Sequence, residues 1–245
     1  MPNEVICVEA ASKRYRLQHE GAGSLKNLLL CRGGRTEALW ALHAVSFTVH
    51  EGETVGVVGH NGSGKSTLLG LLANVSRPTE GIVEVHGRVA PLLELGAGFH
   101  DDLTGIENIA LHGSILGLSN RRMEELTPSI VDFAELGSFI DTPLRTWSAG
   151  MVMRLGFSIA VYSDPDVLLI DEVLAVGDEA FQQKCYDRIA DFQRQGKTIL
   201  FVSHDMEAVS RVASRVLWLK SGRLLLDGPA SEVVAAYQKA AGRVD

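Results

Sequence analysis

Short apolar runs alternate with stretches of helical spacing along most of the chain, which predicts a layered α/β architecture. Val5–Glu9 and Val45–His50 read as strands, the second ending at the Glu51-Gly52 turn. Thr54–Val58 is an unbroken, largely β-branched run, the kind found in strands buried on both faces. A glycine-rich loop, Gly59–Gly64, follows it and leads into an apolar helix from Lys65 to about Ala73. Turn residues over Arg77–Gly81 precede a strand at Ile82–His86. From Thr104 to about Ala160 the period becomes helical, with Thr104 and Glu107 spaced as a capping box and Pro128 and Pro143 as punctuation. Strands return at Val167–Ile170 and Thr198–Val202. Between them Phe181, Cys185, Ile189 and Phe192 mark one face of a helix that stops near Gly196. Val216–Lys220 and Arg223–Leu226 flank Ser221-Gly222, a hairpin signal, and a short helix covers Ser231–Lys239. There is no internal repeat, so the helical block interrupts one α/β core.

Gln18–Trp40 fits neither pattern. It holds His-Glu-Gly-Ala-Gly, an apolar patch of Leu25, Leu28, Leu29 and Leu30, then Arg-Gly-Gly-Arg. Two readings follow: a surface insertion with one short helix packed on the domain, or an amphipathic contact for another protein or a membrane surface. The 245 residues and 46% apolar content suit one domain with a sizeable core. Charged residues at 22%, with 25 Gly and 7 Pro, exclude a disordered or collagen-like chain. A net charge of −7 speaks against a nucleic-acid partner held by phosphate neutralisation. Cys7, Cys31 and Cys185 lie far apart without metal-site spacing and read as free thiols of a reducing compartment. No signal-type segment opens the chain, and no apolar stretch approaches the roughly 20 residues of a spanning helix. The expectation is a soluble, cytoplasmic chain that meets a membrane through a partner.

Two motifs carry chemistry. Gly59-His60-Asn61-Gly62-Ser63-Gly64-Lys65-Ser66-Thr67 matches G-x-x-x-x-G-K-[ST], with a strand before it and a helix after it. Its glycines let successive N–H groups turn toward phosphate oxygens, and the helix opening at Lys65 adds the positive end of its dipole. Lys65 is placed to reach the β- and γ-phosphates, and the Ser66 hydroxyl to bind Mg²⁺. Val167–Ile170 ends in Asp171 and Glu172, two carboxylates at the carboxyl end of a buried strand. Beside a phosphate loop that pair suits metal-dependent phosphoryl transfer, Asp171 holding Mg²⁺ through water and Glu172 orienting or deprotonating the attacking water.

Trp147-Ser148-Ala149-Gly150-Met151 heads a helix upstream of the acid pair, and Ser203-His204-Asp205 follows the next strand. Loop, signature, acid pair and downstream histidine, in that order, resemble the nucleotide-binding subunit of an ABC (ATP-binding cassette) transporter across essentially the whole chain. Leu93–Phe99, Leu103–Ile109 and Asp171–Asp178 further resemble the polysaccharide-exporter branch, which moves lipid-linked O-antigens, teichoic acids and related glycans. Ser24-Leu25-Lys26-Asn27-Leu28 resembles that branch's insertion, which faces the membrane subunit.

The resemblance implies a P-loop ATPase of α/β class, an ABC-type core with an antiparallel β portion toward the adenine and an inserted helical subdomain. One nucleotide-binding domain over 1–245 would have its core at about 1–95 and 165–245, the helical subdomain at about 100–163 and the insertion at about 18–40. The expectation is that no appended carbohydrate-binding domain follows Asp245. ATP and Mg²⁺ are implied, with a head-to-tail homodimer and an integral-membrane subunit, a dimer of six-helix permeases, at the cytoplasmic face of the inner membrane. Tyr15 stands where the family stacks an aromatic on adenine; the plain alternative is a partly buried core tyrosine. Ser148 and Gly150 are implied to contact the γ-phosphate bound to the other subunit, Asp178 to sit at the seam, and His204 to donate to the γ-phosphate. The signature departs from the usual Ser-Gly-Gly-Gln at Ala149 and Met151. Glu94 stands near the family's Mg²⁺-contacting Gln, either as a metal ligand or as a solvated loop acid. The same motifs serve transporters of other substrates and soluble ABC ATPases, although one cassette without a heptad run speaks against the soluble class.

Overall fold

Strand pairing divides the chain between two sheets. The computed structural model describes residues 3–18, 36–92, 96, 98–171 and 177–241. Strands β1 (Glu4–Gln18) and β2 (Thr36–His50) form an antiparallel ribbon, and β4 (Glu80–Val85) adds to the free side of β1. Both ribbon strands outrun the short runs expected from the sequence, because pairing continues outward to Gln18↔Thr36. Register shifts between Val8 and Arg14 break the in–out alternation that marks a strand in the sequence. The flanks of the expected insertion, Gln18 and Thr36–Trp40, are therefore strand; Ser24–Leu30, with Cys31, lies outside the described residues.

The second sheet comprises β3 (Thr54–Val58), β5 (Val89–Leu92), β6 (Val167–Asp171), β7 (Thr198–Val202), β8 (Arg215–Lys220) and β9 (Arg223–Pro229). Its order is β5-β6-β7-β3-β8-β9, parallel except for the antiparallel β8–β9 hairpin at Ser221-Gly222. Strand β5 is the element the sequence pattern conceals, since Pro91 interrupts a four-residue run. At the sheet's edge a proline costs no ladder hydrogen bond.

The helices are α1 (Lys65–Leu72), α2 (Gly105–Ile115), α3 (Asn120–Ala134), α4 (Ala149–Tyr162), α5 (Glu179–Arg194), α6 (Met206–Val212) and α7 (Ala230–Ala241). Pro128 does not end α3 as expected but sits inside it. The buried face of Met123, Ile130 and Ala134 carries the helix past the missing N–H, and the neighbouring Thr127 hydroxyl donates to the Met123 carbonyl (2.7 Å). Three apolar clusters hold the molecule. One lies between the two sheets around Leu68, Leu69 and Leu72 of α1. One lies on the other face of the parallel sheet, around Phe157, Phe181, Phe192 and Phe201. The third, with Ile109, Ile130 and Trp147, is the core of the helical block.

Helix α4 belongs to two of these clusters. Leu155 and Ile159 enter the block's core, while Phe157, Ala160 and Val161 enter the sheet's. Every residue from Leu155 to Val161 is buried, so the helix has no solvent stripe there. Phe157 stacks on Phe133 (6.1 Å between centroids) and meets Phe181 edge-on (6.2 Å). Phe157→Ala should therefore cost about 3–5 kcal/mol, read as a lowered denaturant midpoint in equilibrium unfolding.

Candidate nucleotide site

Parallel strands in register bring the motifs to one level. In the sheet, Asp171 of β6 lies opposite Val202 of β7, and Val202 lies opposite Val57 of β3. Asp171 itself ends β6, the Ser203-His204 turn follows β7, and the phosphate loop follows β3. Neighbouring strands are about 4.8 Å apart, so the three motifs open within roughly 10 Å of one another at the carboxyl edge of the sheet.

The phosphate loop is shaped by close packing. A side chain at Gly59 would put its Cβ 2.3 Å from the Leu219 carbonyl oxygen and 2.5 Å from Ser63 Oγ, so only glycine fits. Lys65 is buried, and its ammonium donates to the carbonyls of Gly59 (2.8 Å) and His60 (3.2 Å). Ser63 Oγ is buried and has no hydrogen-bond partner among the described residues. A buried orphan hydroxyl and an ammonium held only by loop carbonyls fit a bound polyphosphate, which would supply oxygens to both.

A cavity of about 690 Å³ opens over this loop. Asn61, Gly62, Gly64, Lys65, Ser66 and Thr67 form its floor, Asp171 one side, and Tyr15, Leu39, Trp40 and Ala41 the other. Its size is that of a small-ligand pocket. Ser66 and Asp171 face the same space, and a hydroxyl with one carboxylate is the hard-oxygen set from which Mg²⁺ is held together with substrate phosphates. Tyr15 is 41% exposed and lines the cavity, so it is not the core tyrosine of the plain reading. Leu39, Trp40 and Ala41 are lining residues that sequence reasoning missed. The signal was the pairing of Tyr15 with Leu39 and of Arg14 with Trp40, which no periodicity discloses.

His204 is exposed in the turn between β7 and α6. The turn is fixed from both sides: Ser203 Oγ accepts from the Asp205 N–H (3.0 Å), and Asp205 caps α6 by accepting from the N–H groups of Glu207 and Ala208. Glu172 and Glu94 lie outside the described residues.

Ser148 and Gly150 are not among the residues lining the cavity of their own chain. Ser148 caps α4 by accepting from the Met151 N–H (3.3 Å) and is exposed. A Cβ on Gly150 would meet nothing closer than Ser148 Oγ at 3.9 Å, so nothing among the described residues requires glycine there. The start of the helical block braces this signature. Thr104 and Glu107 form the expected capping box, and the fully buried Asn108 amide donates to the carbonyls of His100, Leu103 and Thr104. A Cβ on Gly105 would lie 2.7 Å from the Trp147 ring, which enters the block's core just before Ser148.

Asp178 caps α5 and also accepts from Arg154 of α4 (2.8 Å), while Glu135 at the end of α3 accepts from Arg154 (3.1 Å) and from Lys184 of α5. The Phe181 N–H and then the Arg154 guanidinium hold the Asp178 carboxyl below its ordinary value; Lys184, then Arg154, do the same for Glu135. Because both values are depressed in the folded chain, these ties are present above the ordinary carboxylate range and are lost as pH falls through the lowered values.

Residues 42–175, more than half of the chain, match the family described as ABC transporter. The chain is 46% identical to the O-antigen export system ATP-binding protein RfbB of Klebsiella pneumoniae, over 96% of this chain and 98% of that protein. It is 43% identical to the teichoic acids export ATP-binding protein TagH of Bacillus anthracis, over 97% of this chain and 43% of that one. A dimeric ATP-binding cassette solved in a post-hydrolysis state with ADP and Pi shares its fold, with a TM-score of 0.74 at 22% identity over 92% of this chain and 98% of that one.

Trp40 is 36% exposed at the cavity wall, whereas Trp147 and Trp218 are 9% and 6% exposed. Adding ATP with Mg²⁺ should change the tryptophan emission, and Trp40→Phe should remove that change. A signal that survives in Trp40→Phe places the nucleotide elsewhere.

Proposed function

The chain belongs to the ABC transporter family, and from that membership we propose that it is the ATP-hydrolysing subunit of an exporter of lipid-linked polysaccharide, of O-antigen or teichoic-acid type. The observation that carries the ATPase reading is the common level of Val57, Asp171 and Val202, which gathers the loop, Asp171 and the histidine turn at one edge of the sheet. The export reading draws on the names of the relatives matched over nearly the whole chain.

In this reading Lys65 exchanges the Gly59 and His60 carbonyls for the β- and γ-phosphate oxygens, and the loop's N–H groups with Ser63 hold the rest. Ser66 and Asp171 would hold Mg²⁺, which would supply charge neutralisation at the phosphates. Glu94 is a further candidate ligand. Tyr15 takes one face of the adenine. Glu172 accepts the proton of a water whose oxygen attacks the γ-phosphorus; the bond to the β–γ bridging oxygen breaks, leaving ADP and phosphate. His204 donates to the γ-phosphate oxygen on which charge accumulates.

The second half of the site comes from another copy. The N-terminus of α4, with exposed Ser148 and Ala149 and half-exposed Gly150, would offer N–H groups to a phosphate bound to the partner, with Asp178 at the same seam in this proposal. No helix among the described residues is long and apolar enough to cross a membrane. In this proposal a further partner is an integral-membrane subunit, a dimer of six-helix permeases, with the ATPase on the cytoplasmic face of the inner membrane; the relatives' export-system names support it. A second cavity of about 440 Å³ between α1, α2 and α4, rimmed by the exposed Val75 and Ile115, supports a contact with that subunit.

Two experiments test this. Glu172→Gln should keep ATP binding while ATPase turnover falls by at least about a hundredfold, because an amide cannot take the proton; near-normal turnover would remove Glu172 from catalysis. Lys65→Ala and Gly150→Asp homodimers should each be nearly inactive, whereas a mixed dimer keeps one intact site. Mixing the two proteins under subunit exchange should restore part of the ATPase activity. If labelled mixed dimers form and stay inactive, while a wild-type/Lys65→Ala dimer is active, the shared site is wrong.

A further inference from the structure

The last helix reaches the phosphate loop at a point that no motif requires. The Tyr237 ring of α7 lies 5.5 Å from the His60 ring, tilted by 42°. Its other neighbour is Trp218, met edge-on at 5.5 Å. Trp218 lies opposite Val58, the last residue of β3 before the loop begins. The three rings thus form a column from the sheet, through α7, to the second residue of the loop. His60 is also the residue whose carbonyl accepts from Lys65, and it is not among those lining the cavity. Its ring meets Tyr237 of α7 and stays out of the cavity lining, while its backbone carbonyl accepts from Lys65.

The same helix reaches the histidine turn. Helix α7 packs on α6, and Met206, the first residue of α6, borders the same apolar cluster as Ala236, Tyr237 and Ala240. One helix therefore touches both the phosphate loop and the segment that follows His204-Asp205.

We propose that Tyr237 is a positioning residue that holds the phosphate loop in its nucleotide-binding shape through His60, with α7 acting as a strut between the loop and the C-terminal end of the described chain. Without the Tyr237 ring, the His60–Asn61 peptide loses the contact that fixes its orientation, and Lys65 and the loop N–H groups must be ordered by the nucleotide itself. That ordering cost falls on ATP affinity and not on the chemical step. The strut rests on the ATP reading of the site. Relatives such as the TagH of Bacillus anthracis, of which this chain spans 43%, have chain beyond the matched part.

Steady-state ATPase assays on the full chain test the strut. An aromatic pair of this kind corresponds to roughly a three- to tenfold change in an equilibrium constant. Tyr237→Leu should raise the KM for ATP by about that factor with kcat within about twofold of wild type, and Tyr237→Phe, which keeps the ring, should restore the wild-type KM. His60→Leu should raise KM comparably, and the double variant should show no further rise, since both changes remove one contact. A purely structural role would lower the folded fraction and leave the KM of the folded protein unchanged. An unchanged KM in Tyr237→Leu, or effects that multiply in the double variant, would overturn the proposal. If Tyr237→Leu does not fold, His60→Leu against Tyr237→Phe decides, because both leave α7 packed, and a wild-type KM in His60→Leu refutes the strut. Failure of the ATP reading looks different: wild-type protein then hydrolyses no ATP, and Lys65→Ala changes nothing.

Discussion

The pairing of β6, β7 and β3 in parallel register is the constraint on which the rest depends. Each strand is a short apolar run buried along its length, so a slip of one residue would drive its side chains to the wrong face and cost much of the core. Hydrophobic burial thus fixes the level at which each strand ends, and the ends are where the polar chemistry begins. Asp171 is the last residue of its strand and the loop starts one residue after Val58, so the alignment of the acid with the loop follows from core packing. No hydrogen bond between the motifs is needed to set it.

Around that edge the structure keeps the loop occupied by its own groups. The Lys65 ammonium rests on two loop carbonyls, a satisfactory arrangement for a buried charge and one that a more negative ligand can displace. The signature, in contrast, is held rigid from behind and left open in front. Asn108 ties the turn before α2, Gly105 lets the Trp147 ring pack closely just ahead of Ser148, and Ser148 and Ala149 are exposed. Neither Ser148 nor Gly150 lines the cavity over the phosphate loop.

The two motifs with chemistry were legible in the sequence because their residue types are dictated locally: glycine by the close approach at Gly59, and carboxylates by the end of a buried strand. The buried strands were legible for the same reason, as were the helix at Phe181 and the hairpin at Ser221-Gly222. What escaped is set by pairing across the chain. Strand β5 contains Pro91, which reads as a break until the strand is seen at an edge. The outer ribbon of β1 and β2 is held by backbone bonds and shifted register, so Leu39 and Trp40 gave no sign that they face Tyr15 and Arg14. Pro128 gave a false stop because the apolar face that carries α3 through it has its partners on α2 and α4. The contact of Tyr237 with His60 joins residues far apart in the sequence and has no local signature at all.

Helix α4 has a consequence for how such chains can be recombined. Its Leu155 and Ile159 belong to the helical block and its Phe157, Ala160 and Val161 to the sheet, so the boundary between the two bodies runs lengthwise along one helix. A helical block grafted from a relative by cutting the chain before and after the block would carry one face of α4 matched and the other mismatched. A graft that respects the packing must choose α4 residue by residue, taking the block-facing positions from the donor and the sheet-facing positions from the host. The unit of exchange between relatives is then a surface, and no continuous segment of sequence contains it.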